Sequence, residues 1–289
     1  MKKYYLALAL VLTILFTFSK NSFCETSDEY LIKANSLYEQ EKFDEVINLL
    51  KEAIKQNPNN QLLHYNLGLS YEKKEYYDLA IEEFNTSINL APKDANYFLK
   101  RGLVYGKKEL YEKAISDLKE DIKIEPNNPL FYYNLGVLYG EIDKSELEIE
   151  AYSNAIKLDP KDNDSYFNRG ITYEDIGKFD LAMNDYNTSI ELDPENADAY
   201  FQRGGIYRKN GDFKKAVLDY SASIQIVPNN PMAYNNRAFC YYYLGDYNNS
   251  LKDIQTAKSF ENFDTKCVEK LEADIKRKVS KKNSLLQLK

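Results

Sequence analysis

The sequence predicts an all-α protein, a solenoid of stacked helix–turn–helix units, and three observations carry that prediction. Prolines recur every 34 residues, at Pro58, Pro92, Pro126, Pro160, Pro194 and Pro228. Glycines follow ten residues after the first five, at Gly68, Gly102, Gly136, Gly170 and Gly204, and Ala238 closes the series. Between these markers, apolar residues keep helical spacing. A fixed period signals a stack of like units, none of which can bury its apolar face alone.

The chain opens with a segment of a different kind. Lys2 and Lys3 precede an apolar run over residues 4–18, and Ser22-Phe23-Cys24 offers small side chains for cleavage before Glu25. Residues 1–24 therefore read as a signal peptide. The run is short for a membrane span, which needs about 20 apolar residues. Export to a periplasm or to the cell exterior is expected. An uncleaved anchor and a lipidated Cys24 remain alternative readings of the same residues.

Setting each proline at position 32 of a unit gives seven units, 27–60, 61–94, 95–128, 129–162, 163–196, 197–230 and 231–264. In the fifth, Tyr166, Gly170, Tyr173 and Ile176 lie on one helix face, and Phe179, Ala182, Met183, Tyr186 and Ile190 on a second. Gly177 between them suits a tight turn, Pro194 ends the second helix, and the neighbouring Asn and Asp residues cap the next one. Gly170 and Ala182 are expected where the two helices cross. Phe84, Tyr152, Tyr186 and Tyr220 are expected to fill the space between hairpins. The first unit departs from the pattern with Ala34 and Val46, and the seventh with Ala238, Ser250 and Asn262, as terminal units do. In the fourth, Asp143, Ser145 and Glu148 stand for the turn glycine, an aromatic and the small alanine. The expectation there is a locally displaced second helix, with Leu147 supplying the missing contact. Val268, Leu271, Ile275 and Val279 predict a capping helix over 265–282, with Lys270, Lys276, Arg277 and Lys278 on its other face and a frayed tail at 283–289.

The units resemble tetratricopeptide repeats. The motif stands as His64-x-x-Leu67-Gly68-x-x-Tyr71, Ala80-x-x-x-Phe84 and Pro92, and again as Tyr132-x-x-Leu135-Gly136-x-x-Tyr139. It recurs as Tyr200, Gly204, Tyr207, Ala216, Tyr220 and Pro228, and the resemblance covers residues 27 to about 262. It implies a right-handed superhelix whose first helices line a concave groove, where an extended peptide of another protein lies. Chaperone-binding members of the family clamp a terminal carboxylate with Lys, Asn and Arg. Asn35 and Asn66 match that clamp and Lys100 approximates its Arg, but Leu31 and Asn96 stand where Lys is needed. The comparison argues against binding of cytosolic Hsp70 or Hsp90 tails.

Little in the sequence speaks for catalysis. His64 is the single histidine, and it takes the position held elsewhere by Phe98, Tyr132, Tyr166, Tyr200 and Tyr234, so a packed ring is the simpler reading than a base or a metal ligand. There is no Cys-x-x-Cys and no glycine-rich phosphate loop. The expectation is no enzyme, no cofactor and no metal. The formal net charge is −7, and Lys2, Lys3 and Lys20 are the only charges in the first 24 residues, so the body is more acidic still. Such a body repels phosphate backbones, which argues against nucleic acid. Beyond Cys24, Cys240 and Cys267 remain, readable either as a bridge or, for Cys240, as a small buried hydrophobe.

Recognition has a better signal. Position 6 of successive units holds Ile32, Asn66, Lys100, Asn134, Asn168, Gln202 and Asn236. Each side-chain amide offers a donor and an acceptor, so a ladder of them can bond a peptide backbone. Asparagine is also common at this position in the family, and the two readings stand side by side. Position 5 adds Phe167 and Phe201, and position 9 adds Leu69 and Leu103, an apolar border that marks a binding face if it points into the groove. The expected function is that of an exported scaffold or adaptor holding an extended segment of another protein. The alternatives are a membrane-tethered envelope assembly or secretion factor and a regulatory subunit of an enzyme. Membrane contact is expected only through the N-terminal segment, and the oligomeric state is open.

Overall fold

The computed structural model describes residues 26–261 and 263–287, so the signal segment, Cys24 and Asn262 lie outside the described residues. Those residues form fifteen α-helices and no strand. They fall into two compact units, up to Pro126 and from Asn127 onward. The first holds α1 (Ser27–Glu39), α2 (Phe43–Gln56), α3 (Gln61–Lys73), α4 (Tyr77–Leu90), α5 (Ala95–Lys107) and α6 (Tyr111–Ile124). The second holds α7 (Pro129–Glu141), α8 (Ser145–Leu158), α9 (Asn163–Asp175), α10 (Phe179–Leu192), α11 (Ala197–Lys209), α12 (Phe213–Ile226), α13 (Pro231–Tyr243), α14 (Tyr247–Lys258) and α15 (Lys266–Gln287). Within each unit the helices pair as hairpins that pack in tandem. No helix of the described residues is long and apolar enough to cross a membrane.

Capping starts each first helix. Asn60, Asp94, Asn128, Asp162, Asn196 and Asn230 occupy the N-cap and accept from backbone N–H groups of the first turn. At the start of α1, the N-cap Thr26 and Glu29 of the first turn form a reciprocal capping box. Every first helix then ends in one turn shape. The residue at position 15 takes a left-handed backbone, and the next N–H reaches back five residues, as in Lys178 to the Tyr173 carbonyl at 2.8 Å and Lys144 to that of Tyr139 at 2.9 Å. Gly177 takes that backbone at φ 76°, while Glu41, Glu75, Glu109 and Asp143 take it at 55–60° without being glycine.

The fourth hairpin is less disturbed than its sequence suggests. α8 keeps the 14-residue length of its counterparts, and Leu147 is 41% exposed rather than a packing substitute. Gly140 makes the difference. A Cβ there would lie 3.0 Å from Oε1 of Glu148, so the glycine vacates the space that the longer side chain fills. Burial pushes the Glu148 carboxyl above its ordinary range.

The glycines of the 34-residue series meet rings of their own hairpin. A Cβ on Gly170 would stand 2.7 Å from Cε1 of Tyr186, and one on Gly68 2.7 Å from Cε1 of Phe84. Those large rings fill the interior of their own hairpin at the glycine and also share a core with the next hairpin, Phe84 with Val104, Tyr186 with Ile206 and Tyr220 with Cys240. α15 continues to Gln287, past residue 282 where the apolar spacing stops. The two thiols are free: Cys240 is buried in α13 and Cys267 is exposed on α15, which sets the bridge aside.

Candidate peptide-binding face

An element absent from the sequence reading positions the first helices. Arg101, Arg169, Arg203 and Arg237, at position 7, each make two parallel hydrogen bonds to the aspartate sixteen residues on: Asp117, Asp185, Asp219 and Asp253. All eight lie between 2.7 and 2.8 Å. The third arm of each guanidinium reaches the preceding hairpin, at Asn85, Ser153, Asn187 or Ser221, within 2.6–3.0 Å. Aromatic rings flank the cation, Tyr166 and Tyr173 about Arg169, Tyr234 and Tyr241 about Arg237. One arginine thus ties three helices, and the planar fork is what lysine could not supply.

The sequence did carry a signal for this clasp. Arginine at position 7 occurs with aspartate at position 23, whereas Leu135 in the fourth unit goes with Ala151. In the second unit Leu67 goes with Glu83, and that carboxylate serves the histidine instead. His64 is buried, with Nδ1 2.6 Å from Glu83 and Nε2 2.9 Å from the Pro58 carbonyl. The carbonyl only accepts, so Nε2 carries a proton, and the ring acts as a bridge between a loop and α4. No group of three or more His, Cys, Asp or Glu among the described residues is arranged to hold a metal ion.

Held this way, the position-6 side chains come up half-buried on successive first helices. In the first compact unit these are Asn66 and Lys100, and in the second Asn134, Asn168, Gln202 and Asn236. Their amides are not equivalent. Asn66 and Asn134 each donate to the carbonyl four residues back, Leu62 and Leu130, at 2.8 Å. Those bonds leave the side-chain oxygen of each free. Asn168 donates to the Tyr133 hydroxyl at 3.3 Å, a bond between neighbouring first helices. Gln202 and Asn236 have no intramolecular partner among the described residues, leaving both donor and acceptor available. Ile32, at the same position of the first unit, is 69% exposed.

The border rows share their area with the core. Phe167 lies 6.0 Å from the Tyr186 ring and Phe201 5.7 Å from that of Tyr220, so each ring packs one edge on its own hairpin. Leu69 packs against the core of the first compact unit, and Leu103 is half-buried. These side chains offer edges rather than whole faces to a ligand.

This helical hairpin, recurring at one pitch, is also what comparison with known proteins finds. The TPR repeat model matches residues 34–75, 107–143, 175–211 and 204–245, and two tetratricopeptide repeat models match 61–94 and 130–162. The chain belongs to the tetratricopeptide-repeat family. Among solved structures, one from Cytophaga hutchinsonii shares the fold at a TM-score of 0.69 and 18% identity, covering 82% of this chain and 97% of its own. A structure of MamA is 27% identical at a TM-score of 0.53, covering 55% of this chain and 94% of its own. YrrB, described as a TPR protein with an unusual peptide-binding site, is 22% identical at a TM-score of 0.54, covering 64% of this chain and 95% of its own. A curated relative, the Hsp70-Hsp90 organising protein of Plasmodium falciparum, is 41% identical over 54 residues, which are 19% of this chain and 10% of that protein. The repeats of this chain form a protein–protein interaction scaffold.

Proposed function

We propose that this scaffold is an exported adaptor, binding rather than catalytic, that holds an extended segment of a partner protein along its first helices. The observation that carries the reading is the row of half-buried amides at position 6 of the second compact unit, where Gln202 and Asn236 have no intramolecular partner among the described residues and Asn134 retains a free acceptor, as Asn66 does in the first unit. An extended segment has backbone N–H and C=O groups free, and side-chain amides bond them without reading the peptide's own side chains. Export rests on Lys2, Lys3, the apolar run and the small residues before Glu25. Cys24 favours a second form of the same role, an adaptor tethered to an envelope membrane by a lipid.

The test is capture from a native cell envelope by wild type beside the Asn134→Ala, Asn168→Ala, Asn236→Ala triple variant. Each lost amide bond is worth about 1 kcal/mol, so three weaken binding on the order of a hundredfold. A partner retained by the triple variant at wild-type affinity overturns the reading. A lipid mass on Cys24 decides for the tethered form, and a free Glu25 terminus decides against it.

A further inference from the structure

Five of the six arginines pair with carboxylates: the four clasp residues and Arg277, which bonds Asp274. Arg208 alone has no carboxylate partner among the described residues, and its Nε is buried without a hydrogen bond. Its place in the repeat explains why. At position 12 two other units carry Glu72 and Glu174, each bonded at 2.6 Å to a lysine at position 13 of the next unit, Lys107 and Lys209. At the seam between α11 and α13 both partners are exchanged. Arg208 stands for the glutamate and Tyr243 for the lysine.

Beside this seam lies a cleft of about 410 Å³ between α13 and α15, with Arg208 at one wall and Lys270 at the other. Its floor is aromatic. Phe239 lies under the Arg208 guanidinium at 5.4 Å, and Tyr243, 55% exposed, contacts Phe239 at 4.7 Å and stacks on Phe213 at 4.8 Å. Asn235 and Asn236 line it too, which joins the cleft to the position-6 row. One carboxylate is present, Asp274, and its charge is already met by Arg277, Lys278 and the Tyr242 hydroxyl. Lys270 has no carboxylate partner among the described residues. The balance inside the cleft is therefore positive, in a protein whose formal net charge is −7.

We infer that this cleft is a specificity pocket for a partner segment in which an Asp or Glu side chain stands directly beside an aromatic one. The carboxylate meets the Arg208 guanidinium, the bidentate geometry that the same residue type uses four times in the clasps. The neighbouring ring lies on Phe239 and Tyr243, and the segment's backbone continues to the amide of Asn236. The inference rests on the adaptor reading and adds a side-chain preference to it.

The probe is a fluorescein-labelled peptide of sequence Gly-Ser-Phe-Asp-Ser-Gly with an amidated C-terminus, titrated into the full chain by anisotropy. Cys267 lines the cleft and reports its occupancy. Its alkylation is followed by mass spectrometry, while the Cys240 thiol is buried, its pKa pushed up to about 12, and so is unreactive at neutral pH. The expected result is binding that slows Cys267 alkylation, and that weakens about tenfold in Arg208→Gln or with Asn in place of Asp in the probe. Combining the two changes should give little further loss. Tyr243→Ala, on an exposed ring, should weaken the probe without disturbing the fold. Binding that is equal in Arg208→Gln, with Cys267 unprotected, overturns the pocket and leaves the adaptor reading to its own capture test. No binding by wild type up to about 1 mM overturns it as well. A triple asparagine variant that keeps its partner would sink the adaptor reading while leaving this measurement standing.

Discussion

Asp121 is a carboxylate in a place built for a small side chain. At position 27 the units carry Ala53, Ser87, Asp121, Ala155, Ser189, Ser223 and Ala257, all buried. Ser87 satisfies its hydroxyl by donating to carbonyls of Gln61 and Glu83, at 3.0 and 3.2 Å. Neither oxygen of Asp121 has a side-chain partner among the described residues, and only the backbone of Leu99 approaches them. Burial, reinforced by the negative charges of Asp117 and Glu125 against the pull of Arg101, pushes its pKa up to about 8. The folded pKa thus lies above the unfolded one near 4. The fold holds a proton that the unfolded chain releases, so stability is fully present below pH ~4 and falls as pH rises to ~8. Each pH unit in that window is worth about 1.4 kcal/mol, which sums to an upper bound on the order of 5 kcal/mol. Water penetration and relaxation around a buried charge reduce that to about 2–3 kcal/mol.

Asp121→Ser places there the hydroxyl that three other units already use. The expected gain is near zero at pH 4, grows through neutrality and levels off above pH 8. Urea unfolding of wild type and variant at pH 4, 6, 7 and 9, followed by far-UV circular dichroism, reads that difference. Hydrogen exchange at α5 and α6 localises it, since a repeat array need not unfold as one cooperative unit. Subtracting the two proteins removes the pH dependence of every other group. A gain of equal size at pH 4 and pH 9 would show a change of packing rather than a buried acid, and would refute the reasoning.

The clasp predicts a cycle. Asp219→Ala should cost about 3 kcal/mol by leaving Arg203 half-buried and unpaired, whereas adding Arg203→Leu, which reproduces the Leu135 and Ala151 pair of the fourth unit, should recover most of the loss; thermal unfolding of the three variants measures both steps. Glu41→Gly, Glu75→Gly and Glu109→Gly should each stabilise by about 0.5–1 kcal/mol, since glycine takes the left-handed backbone without a steric penalty. Their additivity in denaturant is the check. Gly170→Ala should destabilise by about 1–3 kcal/mol, because its methyl meets the Tyr186 ring and that ring is fully buried. A melting temperature equal to wild type would mean the ring can move aside.

What was legible in the sequence and what was not divide along a physical line. Proline, glycine and cap residues act on backbone within a few positions, so their period is visible as letters, and the hairpins followed from it. Packing partners lie farther apart. The ring of Tyr186 meets Gly170 from sixteen residues away as well as Ile206 of the next hairpin, and nothing local in the sequence says that it does both. The Arg–Asp pairs have the same separation, yet they were readable, because position 7 and position 23 change together from Arg and Asp to Leu and Ala. Gly140 could have been read likewise as the complement of Glu148. The amides of the position-6 row were visible as residues but not as free groups. Whether Asn134 turns back to the Leu130 carbonyl or Gln202 stays open depends on rotamers that no letter encodes.

The repeat supplies its own controls for separating structure from function. Arginine at position 7 recurs with its aspartate and with aromatic neighbours, and so belongs to the scaffold. Arginine at position 12 occurs once, without a counter-charge, at a seam where the matching lysine has become Tyr243. Arg208 is half-buried with its Nε out of water, and it has aromatic neighbours in Phe239 and Tyr220 but no counter-charge among the described residues, so its charge is incompletely compensated by the protein. Six neighbouring units show how the same position is filled at less cost, with glutamate, glycine or tyrosine. The charge of Arg208, confined to one position beside an open aromatic floor and the unpartnered amide of Asn236, is met when a ligand brings the carboxylate. The same comparison separates Asp121 from Arg208. Both lack a side-chain hydrogen-bond partner, but Asp121 relieves its burial by holding a proton, and a guanidinium keeps its charge. The acid is thus a liability that serine should relieve, and the arginine is a site that a partner should fill.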